Sequence, residues 1–203
     1  MTAATIYGMY DTLCSAGRDW GIVTHGEPGP ELIRPILVAR EKIPFDICNG
    51  VLLNPHASIE ECPETDIVCV PEVNLPPGTP LAERFQVEIA WLRRCYEAGK
   101  TLADSCSGAM LFAEAGLLDG HEATTHWAWC DAMTTRFPHI RLRAQQSLVV
   151  SGEGQRLVMA GGGTSFLDLT LYLVARTVGV EAAMQVAKVN LIDWHHVGQQ
   201  PFA

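Results

Sequence analysis

The feature that most constrains the fold is a short apolar run that leads through a turn of small residues into a second apolar run. Residues 101–103 predict a strand, residues 104–108 (Asp-Ser-Cys-Ser-Gly) a tight turn, and residues 109–115 a helix. A strand that enters a helix in this way is typical of an α/β sheet, and it presents the turn at the carboxyl edge of that sheet. The segment therefore predicts a nucleophile elbow with Cys106 at the exposed position.

The rest of the chain predicts an alternation of helices and strands. Apolar spacing and turn residues indicate helices at 6–16, 85–96, 109–115, 127–137, 166–174 and 181–194, and strands at 21–23, 36–39, 51–53, 67–70, 101–103 and 123–126. A hairpin is predicted for 148–151 with 156–160, across a Gly-Glu-Gly turn. This order favours one α/β domain over residues 1–203 with a mainly parallel sheet.

Charge and hydropathy exclude several classes of function. The chain has 23 acidic and 14 basic residues, a formal net charge of -9, so direct binding of this chain to nucleic acid is not expected. No apolar run approaches the roughly 18 residues that a membrane helix needs. The amino-terminal residues lack the pattern of a secretory signal, which predicts a cytoplasmic protein.

The seven cysteines are scattered, without Cys-x-x-Cys pairs or metal-ligand spacing. We expect most of them to be reduced, buried thiols, and we expect no metal and no cofactor. Cys106 differs because a following helix dipole would favour its thiolate, although Asp104 would oppose ionisation. Spacing alone leaves a reactive Cys106 and a buried core cysteine equally open.

Two further features are candidates for chemistry. His126 ends an extended segment, where it could polarise the thiol or simply pack under Trp127 and Trp129. The glycines at 161–163 precede a helix but lack the lysine of a phosphate loop, so close packing of that helix on the sheet is the favoured interpretation. His195 and His196 are predicted to form a solvated helix end.

Residues 99–120, followed by Ala-Thr-Thr-His-Trp at 123–127, closely resemble the ThiJ/PfpI superfamily of glutamine-amidotransferase-like proteins. The branch most similar to this chain is the sensor domain of AraC-type transcriptional regulators, and the similarity extends through residues 160–165 and the tail at 198–202. The resemblance implies a flavodoxin-like three-layer sandwich, usually a homodimer. It also implies the roles of elbow cysteine for Cys106, of site histidine for His126 and of an acid after the glycine turn for Asp168.

The chain departs from the catalytic members of that superfamily at three places. Thr5 aligns where isocyanide hydratase-like members carry an acid, Ser107 follows the nucleophile instead of histidine, and Glu72 begins the pair that usually lends backbone donors to an oxyanion. These departures favour ligand sensing over hydrolysis. The expected site therefore comprises Cys106 and His126 as the catalytic-type pair, with a small ligand bound by residues that surround them: Thr5, Glu72, Ser107, Gly108 and Asp168.

Two features that the resemblance implies, a first central strand and a DNA-binding domain, are not found in this sequence. Members of the superfamily begin with a central strand before the first helix, and none is encoded here. Residues 1–203 contain no DNA-binding domain, whereas the regulators continue into one, so an isolated or truncated sensor domain and a stand-alone relative are both expected forms. Besides the sensor, two hypotheses stay open: a cysteine-dependent hydratase or amidohydrolase, and a module that senses oxidation through Cys106.

Overall fold

The structure is a computed structural model that describes residues 2–193, 198, 199 and 201. The predicted helix end at Trp194, the predicted solvated pair His195 and His196, and the tail residues Gln200 and Phe202 lie outside the described residues.

The described chain alternates helices and short strands, as the sequence predicts. The helices are α1 (Ala3–Cys14), α2 (Arg18–His25), α3 (Gln86–Glu97), α4 (Ala109–Glu114), α5 (Cys130–Arg136), α6 (Ser165–Val178) and α7 (Val180–Asn190). The strands are β1 (Val38–Ala39), β2 (Phe45–Asp46), β3 (Leu52–Leu53), β4 (Ala57–Ser58), β5 (Ile67–Val70), β6 (Thr101–Ser105), β7 (Glu122–Ala123), β8 (Arg141–Leu142), β9 (Leu148–Ser151) and β10 (Leu157–Ala160).

The main sheet has the strand order β5-β6-β10-β9. Strand β6 lies in its centre and pairs in parallel with β5 on one side and β10 on the other. Strand β9 pairs with β10 in antiparallel register, with Leu157 opposite Ser151. The predicted hairpin and the mainly parallel sheet are therefore confirmed.

Helices cover both faces of this sheet. Successive strand residues point to opposite faces: Leu102 and Leu157 pack in a core with α3 and α4, whereas Ala103 and Val158 pack in a second core with α1, α6 and α7. The two cores confirm the three-layer α/β sandwich. They also place β6 and its carboxyl end, where Cys106 follows, in the middle of the molecule.

The strands that precede the main sheet in the described chain are short. Helix α1 is the first element among the described residues, and β5 forms an edge of the main sheet. Strand β1 pairs only with β4 in a separate parallel pair. Two cavities, of about 620 Å³ and 140 Å³, are lined by residues of both β1 and β5, among them Val38 and Cys69.

Two predictions from the sequence are wrong. The apolar residues 21–23 lie in helix α2 rather than in a strand, because left-handed glycines at both ends, Gly17 and Gly26, delimit one short exposed helix. Most cysteines are not fully buried: all seven are free, Cys95 and Cys106 are buried, and the other five are half-buried. None of the described helices is long and apolar enough to cross a membrane.

Candidate ligand site at the nucleophile elbow

Cys106 lies at the sharp turn between β6 and α4. Its φ of 60° is a left-handed conformation that side-chain-bearing residues rarely adopt. Gly108 makes the turn possible, because a Cβ there would lie 2.4 Å from the carbonyl oxygen of Pro71. The Cys106 N–H donates to the Gly161 carbonyl at 2.9 Å, and its carbonyl accepts from Thr125 Oγ1 at 2.8 Å. The predicted elbow is thus present, with its backbone held from two sides.

The environment of the Cys106 side chain favours the neutral thiol. Burial, followed by the negative charge of Glu72, raises the pKa of Cys106 to about 11, and the hydrogen bond from the Ser107 backbone N–H offsets only part of this effect. The sequence raised the possibility that a helix dipole would favour thiolate. In the structure desolvation is the largest influence on this thiol, and it acts in the opposite direction. At neutral pH the side chain is therefore an S–H group and a weak nucleophile.

Glu72 follows β5 and lies between Cys106 and the start of α1. Its Oε1 accepts a hydrogen bond of 2.5 Å from the Thr2 backbone N–H, at a helix end where negative charge is favourable. The Thr2 hydroxyl is 3.0 Å from the hydroxyl of Thr5, which is itself buried. Two predicted ligand-binding residues, Thr5 and Glu72, thus meet through Thr2 beside the elbow.

Ser107 connects the elbow to the segment after β5. Its hydroxyl donates to the Val73 carbonyl at 2.7 Å and accepts from the Val73 N–H at 3.0 Å. In the catalytic members that this chain resembles, the pair that begins at Glu72 lends its backbone donors to an oxyanion. The structure shows that the Val73 donor already has a partner, which weakens an oxyanion site at this position.

His126 lies next to the glycine turn. Its Nδ1 accepts from the Ala128 N–H at 3.1 Å, which places the proton of the neutral ring on Nε2, and burial lowers its pKa despite the opposing charge of Glu72. Among the described hydrogen bonds, none joins this imidazole to the Cys106 thiol. His126 and Cys106 are therefore neighbours of the same turn rather than a hydrogen-bonded pair.

The glycine turn at 161–163 precedes helix α6, which packs on the sheet as predicted, and it also lies against two side chains of the site. A Cβ on Gly162 would lie 2.0 Å from Cδ2 of His126, and a Cβ on Gly161 would lie 2.9 Å from Oε1 of Gln199. Both glycines therefore make space for side chains of the site. Asp168 lies beyond them, fully buried in the first turn of α6.

Sequence reasoning missed two residues of this neighbourhood. Thr125 supplies the hydrogen bond to the Cys106 carbonyl, and the Gln199 side chain reaches the glycine turn from the carboxyl-terminal segment. The similarity of residues 198–202 to the regulators was the only signal for Gln199. Within the described part of the chain, no cluster of three or more His, Cys, Asp or Glu side chains could hold a metal ion.

The fold and this turn define an α/β domain with a cysteine on a nucleophile elbow. The profile of the DJ-1/PfpI family matches residues 31–176, and the chain belongs to this family.

Regulators and an enzyme are among its relatives. The chain is 30% identical to the HTH-type transcriptional regulator CdhR of Pseudomonas aeruginosa over 158 residues, 78% of this chain and 45% of that protein. It is 32% identical to the isonitrile hydratase of Pseudomonas putida over 153 residues, 74% of this chain and 62% of that protein. The chain thus spans less than two thirds of the length of either relative.

Solved structures show the same fold. An AraC family transcriptional regulator from Pseudomonas putida superposes with a TM-score of 0.70 at 18% identity, over 93% of each chain. A protein from Vibrio parahaemolyticus that is assigned as a transcriptional regulator superposes with a TM-score of 0.75 at 19% identity, over 91% of each chain. The family and the flavodoxin-like fold expected from the resemblance are confirmed.

Proposed function

We propose that this chain is a ligand-sensing domain in which a small molecule binds beside Cys106 and Glu72 without being hydrolysed. The observation that carries the proposal is the geometry of the elbow: Cys106 is buried, and the Val73 N–H that could stabilise negative charge is already bonded to Ser107. Burial and the Glu72 carboxylate also raise the pKa of the thiol to about 11. A domain that senses a ligand needs a shaped, partly buried site, but it does not need a thiolate. Similarity to AraC-type regulators supports the same conclusion.

The ligand in this proposal is held by Thr5, Glu72, Ser107, Gly108, His126 and Asp168 around Cys106. The domain acts as a homodimer in the cytoplasm and changes the arrangement of a DNA-binding domain. The chain itself does not bind DNA, since its net charge of -9 repels a phosphate backbone.

A second candidate is a cysteine-dependent hydratase, which the similarity to isonitrile hydratase favours. In that reaction the Cys106 sulfur would attack a carbon electrophile, and the thiol proton would have to move to a nearby base. Glu72 is the group close enough to the thiol to accept it. The Val73 N–H, however, is already bonded to Ser107, so developing negative charge would lack that donor.

Thermal unfolding in the presence of small molecules tests the sensor. A panel of amines, amides and carbonyl compounds is added to the wild-type protein and to Glu72→Gln, with the exposed acid variant Glu83→Gln as a matched control. We expect at least one compound to raise the melting temperature of the wild type and of Glu83→Gln by several degrees, as a ligand at 100 times its dissociation constant contributes about 2.7 kcal/mol. The shift should shrink in Glu72→Gln. Equal shifts in all three proteins would place binding elsewhere and contradict the proposed site.

A further inference from the structure

The side chain of Gln199 lies beside the elbow although it is far from Cys106 in the sequence. We call Gly198 and Gln199 the carboxyl-terminal segment. Its Nε2 donates to the carbonyls of Thr125 and Ala144, at 2.7 Å and 2.9 Å, and its Oε1 accepts from the Gly162 N–H at 3.1 Å. The residue is 5% exposed. Both hydrogens of the side-chain amide and its oxygen are therefore used, in a place from which water is largely excluded.

These bonds close a ring through the backbone of Cys106. Gln199 joins Gly162 to Thr125, the neighbours that hold Cys106 from two sides: Thr125 Oγ1 donates to the Cys106 carbonyl, and the Cys106 N–H donates to Gly161, next to Gly162. The elbow, the histidine segment and the glycine turn thus meet on one side-chain amide.

The backbone of the carboxyl-terminal segment is fixed at the same point. The Gln199 N–H donates to the Gln145 carbonyl at 3.1 Å, and Gly198 adopts a φ of 63° there. A Cβ on Gly198 would lie 2.1 Å from that same carbonyl oxygen. The segment therefore has to approach the Gln145 backbone closely for the Gln199 amide to join the ring of hydrogen bonds.

We propose that Gln199 is a positioning residue of the Cys106 site, so that occupation of the site and docking of the carboxyl-terminal segment are coupled through its amide. Removal of the amide leaves the Thr125 and Ala144 carbonyls and the Gly162 N–H without these hydrogen bonds. The segments that hold the Cys106 backbone are then no longer joined to each other. Coupling of this kind is reciprocal: a group that disturbs the elbow must also loosen Gln199. This inference rests on the proposed function: in the sensor, the Gln199 amide is a route from the ligand to the segment that carries it.

Cysteine-resolved alkylation tests the positioning role. Native wild type, Gln199→Met and Gln145→Ala are treated with iodoacetamide, and mass spectrometry gives the rates at Cys106 and at Cys95, which is buried in the core shared with α3 and α4. Methionine has a similar size to glutamine but no amide. Gln145 has an exposed side chain, and alanine keeps the backbone carbonyl that Gln199 uses.

We expect Gln199→Met to raise the ratio of the Cys106 rate to the Cys95 rate about fivefold or more, the lower end of typical coupling between sites. The ratio in Gln145→Ala should stay close to that of the wild type. An unchanged ratio in Gln199→Met would overturn the proposal, and so would an equal acceleration at both cysteines, which marks general loosening. If the methionine variant does not fold, Gln199→Glu, which keeps the acceptor for Gly162 but loses both donors, is judged by the same ratio.

Hydrogen exchange tests the coupling in the other direction. The wild type and Cys106→Ser are both treated with iodoacetamide, and amide exchange is followed in the peptide that contains Gly198 and Gln199. We expect alkylation of Cys106 to speed exchange in this peptide about fivefold or more relative to treated Cys106→Ser. Equal exchange in the two proteins would refute the coupling. Neither measurement uses a natural ligand, so an unsuccessful ligand screen leaves both results interpretable.

Discussion

At the scale of single residues, the site depends on how Cys106 is held in a conformation that costs energy. A φ of 60° in a residue with a side chain costs on the order of 1–3 kcal/mol and persists only where the surroundings impose it. Here the bonds to Gly161 and Thr125 impose it. This backbone conformation fixes the position of the sulfur at the turn, and the raised pKa keeps the thiol protonated.

Substitution of Glu72 by glutamine should make Cys106 more reactive. The carboxylate raises the pKa of Cys106 by its charge, so its removal lowers that pKa and increases the thiolate fraction at pH 8. The thiolate fraction of Cys106 should rise about tenfold for each unit by which the pKa falls, and the alkylation rate, measured by mass spectrometry between pH 6 and pH 10, should rise with it by a smaller factor. Glu83→Gln, an exposed acid, is the control. An unchanged or slower rate in Glu72→Gln would show that Glu72 does not set the thiol chemistry.

Asp104 is the buried acid directly before the elbow. It is fully buried, and neither carboxyl oxygen meets hydrogen-bond geometry with any described group. Burial raises its pKa well above the usual 3.8, and the Ala109 amide offsets only part of the cost. Since the folded state binds this proton more tightly than the unfolded state, stability is lost as pH rises above 3.8 towards the raised pKa.

Asp104→Asn should therefore gain stability relative to the wild type as pH rises. The difference in unfolding free energy between the variant and the wild type, from urea titrations at pH 4, 6 and 8, should move steadily in favour of the variant. Asparagine carries no charge to desolvate, which is the reason for the trend. A difference that is the same at all three pH values would mean that Asp104 does not titrate as described.

At the scale of elements, the close contact of α1 with α6 fixes the start of the chain beside the site. Gly8 makes this contact possible, because a Cβ there would lie 2.7 Å from the ring of Phe166. Gly8→Ala should destabilise the domain by about 1–3 kcal/mol, the usual cost of an overpacked core. Asp11→Ala, on the exposed side of the same helix, should change stability by less than about 0.5 kcal/mol. Denaturant unfolding checks both, and a neutral Gly8→Ala would show that the Phe166 ring can move away from α1 at little cost.

Elements defined by local signals could be predicted from the sequence. The strand–turn–helix around Cys106 and the hairpin before Ala160 depend on neighbouring residues and turn chemistry, and both were predicted. The apolar residues 21–23 were not, because a run of three fits a strand or a helix equally well and the flanking glycines decide.

Contacts between distant segments could not be predicted in this way. The bonds of Ser107 to Val73 join residues 34 positions apart, and the bond of Gln199 to Thr125 joins residues 74 positions apart. No local pattern encodes such partners, because they depend on how the loops at the carboxyl edge of the sheet converge. The elbow cysteine could therefore be found from the sequence, whereas the groups that determine its protonation could not.

At the scale of the whole molecule, the net charge and the family predict that this chain forms a dimer and does not itself bind DNA. We expect this chain to form a homodimer, which light scattering coupled to gel filtration should show as twice the mass of one chain. We also expect no binding of a fluorescent DNA duplex at physiological salt, because a net charge of -9 opposes contact with phosphates. A monomer would contradict the first expectation, and salt-dependent DNA binding would contradict the second.

The central claim is that the elbow of this chain binds a small molecule without converting it to a product. The most direct measurement is the steady-state conversion of an alkyl isocyanide to its formamide by the wild type and by Cys106→Ser, at pH 7 and pH 9. Because the pKa of Cys106 is raised to about 11, we predict no conversion above the Cys106→Ser background at pH 7. Multiple turnovers by the wild type that disappear in Cys106→Ser would contradict the account and establish a hydratase.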